Sequence, residues 1–96
     1  MLDAFDEGGL DVGELTKLPN IAAKLEAQLA EVGITTPDEL RNIGSRKAWL
    51  RILARDPSAC LVRLSALEGA IQGVRWHNLS DETKAALKEF YRQSTT

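Results

Sequence analysis

With 96 residues, the chain is long enough for one modest hydrophobic core and too short for two. Hydrophobic residues make up 44% of the chain and charged residues 27%, which excludes a disordered tail and a collagen-like fibre. The single cysteine, Cys60, excludes an intramolecular disulfide and a cysteine-based zinc site.

Charge is segregated along the chain. Residues 1–40 contain nine acids and two lysines, whereas residues 41–75 contain seven basic and two acidic residues. A basic segment within an acidic chain is a candidate contact surface for nucleic-acid phosphate or for an acidic protein. The alternative is internal, because the acidic beginning of the chain could fold back near the basic helix.

The first residues predict an arm rather than part of the core. Residues 1–13 are acidic, contain three glycines and show no apolar periodicity, so we expect a flexible acidic N-terminal arm. Residues 14–96 then form the helical domain. A short helical turn is predicted over residues 14–17, and Pro19 stops it because the residue before a proline avoids the helical region.

The first two helices are delimited by cap residues. Apolar residues at spacings of four, four and three predict a helix over residues 21–32; they are Ile21, Leu25, Leu29 and Val32. Asn20 is predicted as its N-cap and Gly33 as the left-handed residue after its end. The second helix is predicted to begin after the N-cap Thr36, with Pro37 in its first position, and to end at Gly44.

The third helix carries the basic charge. It is predicted to run from the cap Ser45 to about Arg55, with Trp49 on its core side. Lys47, Arg51 and Arg55 recur every four residues on the opposite side, and we call these three residues the basic stripe. Such a stripe is either a solvated face or a contact surface for nucleic acid or an acidic protein.

The fourth helix is predicted to be the centre of the core. Ser58 is its expected cap, and its apolar seam consists of Cys60, Leu64, Leu67, Ile71 and Val74. A close approach of another helix explains Gly69, while Gly73 ends the helix. Glu68 and Gln72 are expected to hold the backbone of a neighbouring loop.

The last segment completes an all-α fold. Trp76, like Trp49, is predicted to be a core anchor, with stacking on a nucleic-acid base as the alternative, and His77 is predicted to be a connector residue. A final helix follows the cap Ser80 and ends at about Arg92. No stretch has a period of two, so we expect about five short helices around one core, beginning with a SAM-like or helix-hairpin-helix-like unit.

The segment Leu18-Pro19-Asn20-Ile21-Ala22-Ala23-Lys24-Leu25 has the outline of a helix-hairpin-helix. In such a unit, backbone N–H groups at the positive N-terminal end of the second helix can receive a nucleic-acid phosphate. The motif usually places glycines where Asn20 and Ala22 stand; asparagine adopts a left-handed conformation, whereas alanine does so poorly. Asn20, Ile21, Ala22 and Lys24 are therefore candidate DNA contacts together with the basic stripe. The alternative is that this hairpin only packs against its neighbours.

Several sequence blocks resemble a known family over residues 15–92. They are Leu18-Pro19-Asn20-Ile21, Val32-Gly33-Ile34-Thr35-Thr36, Glu39-Leu40, Gly44, Leu67-Glu68-Gly69-Ala70-Ile71-Gln72-Gly73-Val74-Arg75-Trp76 and Leu79. With them the chain resembles the C-terminal domain of TfoX, also called Sxy, a regulator of natural competence in bacteria. The resemblance implies an all-helical domain with a helix-hairpin-helix-like start. It further implies a stand-alone form of a domain that larger relatives join to an N-terminal domain.

The sequence favours an interaction module in transcriptional regulation. Its expected partner is double-stranded DNA, contacted without sequence preference, or a protein of the transcription apparatus. The alternative is a purely protein–protein interaction domain. No nucleophile pair, metal-ligand set or phosphate loop is found, so no enzyme, cofactor, metal or small-molecule substrate is expected. The acidic first residues and the lack of a long uncharged stretch predict a cytoplasmic protein without membrane contact.

Overall fold

The computed structural model describes residues 14–95, so the predicted arm over residues 1–13 lies outside the described residues. Two short 3₁₀ helices, Leu15–Lys17 and Trp76–Asn78, accompany five α-helices: α1 (Ala23–Glu31), α2 (Pro37–Ile43), α3 (Ser45–Arg55), α4 (Leu61–Gln72) and α5 (Asp81–Thr95). The described residues contain no strand, which confirms the all-α prediction. None of these helices is both long and apolar enough to cross a lipid bilayer.

Helix α4 lies at the centre of the core and contacts α2, α3, α5 and the second 3₁₀ helix. Leu64 and Leu67 are fully buried, as the apolar seam predicts. The prediction for Cys60 is wrong, because this residue is exposed. It is the N-cap of α4 and has extended backbone angles, so its side chain does not continue the helical seam.

The two tryptophans have different roles. Trp49 is fully buried and packs against Phe90 and Tyr91 at ring-centroid distances of 6.1 and 5.6 Å, which confirms it as a core anchor between α3 and α5. Trp76 is 37% exposed, so its prediction as a core anchor is wrong. Its ring lies edge-on to His77, 5.5 Å between centroids, within the exposed second 3₁₀ helix.

Two predicted helix caps are confirmed. The hydroxyl of Thr36 accepts the N–H of Glu39 at 3.1 Å, and Pro37 is the first residue of α2. The hydroxyl of Ser80 accepts the N–H of Thr83 at 3.1 Å at the start of α5. Each cap satisfies a backbone donor that the first helical turn leaves without a partner.

The other two predicted serine caps are wrong. Gly44 caps α3, and Ser45 is instead buried within the first turn, where its hydroxyl donates to Glu68 at 2.5 Å. Ser58 precedes α4 by three residues, and its hydroxyl and N–H both donate to Asp56, at 2.6 and 3.0 Å. Both serines therefore bind carboxylates rather than helix N–H groups.

The carboxylate of Asp56 joins three parts of the fold. Besides the two bonds from Ser58, it accepts one from Arg63 of α4 at 2.9 Å and one from Gln28 of α1 at 3.0 Å. These bonds, those of Ser58 foremost, hold the pKa of Asp56 well below its usual range. The ionised carboxylate is thus the form that the fold favours.

We expect the substitution Asp56→Asn to lower stability at neutral pH and to have a smaller effect in acid. Because the pKa of Asp56 is lower in the folded than in the unfolded chain, its contribution is complete above the unfolded value of about 3.9 and is lost as the pH falls through the folded value. The difference between the urea midpoints of wild type and variant, measured from about pH 7 to about pH 2, should therefore become smaller towards the acidic end. The control is Asp38→Asn, because Asp38 has a side chain that is 91% exposed; an Asp56 variant no less stable than this control would contradict the expectation.

Candidate nucleic-acid interface

The hairpin before α1 has the predicted backbone conformation at one of its two key positions. Asn20 has a φ of 72°, which places it in the left-handed region where the motif usually has glycine. Ala22 has φ −101° and ψ 179°, an extended conformation that alanine adopts without strain. Ala22 is the residue that precedes α1 as its N-cap, so the prediction of Asn20 as the cap and of a helix start at Ile21 is wrong.

The side chain of Asn20 fastens the hairpin to the end of α4. Its Nδ2 donates to the carbonyl of Val74 at 2.9 Å and to that of Ala66 at 3.4 Å, and its Oδ1 accepts the N–H of Trp76 at 3.1 Å. We call these three bonds the Asn20 clasp. They direct the amide of Asn20 towards the protein, while Ile21 is buried beside it.

The remaining hairpin candidates are at the surface. Ala22 and Lys24 are exposed, and no side chain forms a hydrogen bond as a cap at the start of α1. The first N–H groups of this helix therefore lie at its positive end with Lys24 beside them. A phosphate contact at this helix start stays a prediction.

Helix α3 presents the basic stripe as a single exposed surface. The helix buries Ser45, Ala48, Trp49 and Ile52. Lys47, Arg51 and Arg55 are all exposed on its other side. Successive members are four positions apart, so their Cα atoms rise by about 6 Å per step along the helix.

The stripe ends beside the C-terminal end of α1. Arg51 donates to the carbonyl of Val32 at 3.2 Å, and Nε of Arg55 lies 3.7 Å from a carboxylate oxygen of Glu31. Both partners of the second pair are more than half exposed, so solvent screens their attraction. Lys24 and Glu31 are seven residues apart, or about 10 Å along α1, so the helix connects the hairpin end of this surface with the stripe.

The expected close approach at Gly69 is confirmed. It is made by Asn20 and by the backbone that follows α4, not by another helix. A Cβ atom at this position would lie 2.5 Å from Nδ2 of Asn20 and 2.7 Å from the carbonyl oxygen of Val74. The glycine therefore leaves room for the Asn20 clasp. Gly73 has a φ of 79° and ends α4, and Gly33 has a φ of 88° after α1, as predicted.

The carboxylate of Glu68 binds side chains rather than a loop. One oxygen accepts from Ser45 at 2.5 Å and the other from Gln72 at 2.7 Å, so the predicted contact of Glu68 and Gln72 with loop backbone is wrong. Among residues 14–95, no three metal-binding side chains lie together as a metal site.

A groove on α1 was not foreseen from the sequence. Its volume is about 420 Å³, and its lining is Leu15, Ala23, Glu26, Ala27, Ala30, Glu31 and Thr35. We call it the alanine groove. The three alanines recur at spacings of four and three. Because alanine is also the strongest helix former, this pattern alone does not indicate a groove.

The described residues form an all-helical domain in which a short 3₁₀ helix and a turn precede α1, and in which α3 exposes the basic stripe. The sequence profile of the TfoX C-terminal domain matches residues 12–91, and the chain belongs to this family. The chain is similar to protein Sxy of Escherichia coli (strain K12), with 42% identity over 60 residues. That match covers 62% of this chain and 29% of the length of Sxy.

Two crystal structures from Listeria monocytogenes share the fold. A triclinic form of an uncharacterized protein is 49% identical with a TM-score of 0.82, covering 83% of this chain and 91% of that chain. A tetragonal form of a protein of unknown function is 48% identical with a TM-score of 0.83, covering 84% of this chain and 99% of that chain. The arrangement of helices is thus common to these proteins.

Proposed function

We propose that the chain is a non-enzymatic interaction module that acts in transcriptional regulation by weak, non-specific contact with duplex DNA. Membership of the TfoX C-terminal domain family and similarity to Sxy support a competence-regulator-like role. The observation that carries the DNA contact is the exposed line of Lys47, Arg51 and Arg55 on α3. Contacts of this kind hold a protein on the phosphate backbone and read no base sequence.

The hairpin supplies a second set of phosphate contacts. At the start of α1, where no side chain caps the helix, the first N–H groups and the positive helix end favour an anion, and Lys24 adds a full charge. Asn20 and Ile21 support this contact indirectly, because the Asn20 clasp and the burial of Ile21 fix the position of the turn. Of the hairpin residues, Ala22 and Lys24 are thus the direct contacts.

Fluorescence anisotropy of labelled duplex DNA at several salt concentrations tests this proposal. The variant Lys47→Ala/Arg51→Ala/Arg55→Ala should show a log–log salt slope shallower by about 2.7, because three phosphates lose their cationic partners. Lys24→Ala should make the slope shallower by about 0.9, because the one phosphate held at the hairpin loses its cationic partner.

A matched control removes the same charge elsewhere. Lys84, Lys88 and Arg92 are exposed on α5 at the same spacing, so their triple alanine variant has the same net charge as the stripe variant. The proposal requires the control to keep the wild-type slope. Equal losses in the two triple variants would show attraction by overall charge instead, and the absence of binding at low salt would refute the DNA contact.

The second candidate function is purely protein–protein interaction. The alanine groove and the 41% exposure of Leu50 on α3 favour it, because exposed apolar surface is typical of protein contacts. It predicts that the wild-type domain captures a protein partner while ignoring DNA at low salt. A stripe-dependent salt slope in the DNA titration would exclude this candidate.

A further inference from the structure

The alanine groove is an apolar depression beside carboxylates. Ala23, Ala27 and Ala30 are exposed along α1, and their methyl groups leave about 420 Å³ above the helix. Glu31 at its edge is 59% exposed, and its carboxylate lies 3.7 Å from Arg55 of the same chain, so this edge is compatible with basic side chains. A large apolar side chain flanked by basic residues therefore fits the groove.

The outer face of α3 has that chemistry. Leu50 is 41% exposed, although α3 buries a full apolar side against α4. One turn later Ala54 is also exposed, and the exposed basic residues Arg46, Lys47 and Arg51 lie within four positions of Leu50 on the helix. The face thus presents a single large apolar side chain within positive charge.

The two surfaces are neighbours on the molecule. The contacts Arg51–Val32 and Arg55–Glu31 join the edge of the α3 face to the end of α1. When two complementary surfaces lie side by side, a two-fold axis between them places each surface against its complement on the other copy. Such an arrangement closes as an isologous dimer instead of extending as a filament.

We propose that the alanine groove binds a second copy of this chain, with Leu50 of each copy seated in the groove of the other. The side chain of Lys47 then meets the acidic edge of the opposite groove. The interface is small and partly polar, so the dimer is transient and in equilibrium with the monomer. The dimer goes beyond the proposed DNA contact and does not require it.

Light scattering coupled to size-exclusion chromatography, over protein concentrations from about 10 µM to about 1 mM, tests the dimer. Wild type should move from the mass of one chain towards that of two. Ala27→Arg places a large charged side chain in the groove, and Leu50→Glu replaces the apolar side chain that the groove binds. Each variant alone should therefore stay monomeric. Both positions are exposed, and circular dichroism should show an unchanged helix content.

An equimolar mixture of the two variants provides the decisive measurement. In the heterodimer one half of the interface has the wild-type residues, and the other half joins Arg at position 27 to Glu at position 50. Two monomeric variants should therefore form a dimer when mixed. The control Val62→Glu alters another exposed apolar residue, 48% exposed on α4, and should dimerise like wild type.

Other outcomes would overturn the dimer. A wild-type mass of one chain across the whole range, single variants that dimerise like wild type, or a mixture that stays monomeric would each do so. The DNA titration of Ala27→Arg separates the two proposals. This variant keeps the basic stripe and adds a positive charge, so it should retain DNA binding while losing the dimer.

Discussion

Replacing Asn20 with alanine is expected to lower the free energy of unfolding by about 2–4 kcal/mol. The substitution removes the hydrogen bonds to Val74, Ala66 and Trp76 and leaves backbone groups of a packed turn without their partners. It also places an alanine at a φ of 72°, which costs about 1 kcal/mol or more. Urea unfolding followed by circular dichroism measures the loss.

Two further variants separate these causes. Asn20→Gly removes the bonds but tolerates the left-handed backbone, so it should be more stable than Asn20→Ala by about 1 kcal/mol. Asn20→Asp keeps an acceptor for the N–H of Trp76 but loses the amide donor and sets a carboxylate near the carbonyl of Val74. Variants as stable as wild type would show that the clasp contributes nothing to stability.

Replacing Gly69 with alanine is expected to cost about 1–3 kcal/mol, although alanine is the better helix former by about 1 kcal/mol. The added methyl group would lie 2.5 Å from the amide nitrogen of Asn20 and 2.7 Å from the carbonyl oxygen of Val74. The second of these atoms is backbone and cannot turn away. Unfolding in urea should thus show a loss of stability where helix propensity alone predicts a gain.

The double variant Asn20→Gly/Gly69→Ala tests whether the two residues form one unit. After the amide of Asn20 is removed, the methyl group at position 69 has one close neighbour fewer, so Gly69→Ala should cost less in this background. A coupling energy of about 0.5 kcal/mol or more is expected for residues in direct contact. As a comparison, glycine to alanine at Gly33, where no heavy atom lies within 4 Å of an added Cβ, should show no coupling to Asn20. Additive losses at positions 20 and 69 would contradict the shared clasp.

The helices were predictable from the sequence because their signals are local. The bounds of α2 follow from Thr36, Pro37 and Gly44, all within nine residues of one another. The basic stripe follows from a spacing of four and from the burial of Trp49 on the opposite side. Each of these inferences needs only one helix.

Several of the predictions that failed required contacts between distant residues. The amide of Asn20 bonds to groups 46 to 56 positions later, which no local pattern reveals. Ser45 has the side chain of an N-cap, yet its hydroxyl binds Glu68, 23 positions later. Cys60 failed for a local reason: the predicted helix begins directly after Ser58, whereas α4 begins two residues later, at Leu61, so Cys60 precedes the helix and is exposed.

The Asn20 clasp makes the hairpin dependent on the order of folding. Because its bonds join the turn at Pro19-Asn20 to residues at the end of α4, the turn has no fixed position until the chain beyond α3 has been made and packed. The entropy cost of closing a loop of more than 50 residues must be met before these hydrogen bonds can stabilise the turn. A chain that ends after α3 would therefore contain the residues of the basic stripe but would lack the contacts that fix the turn before α1, so that turn becomes ordered only when the domain is complete.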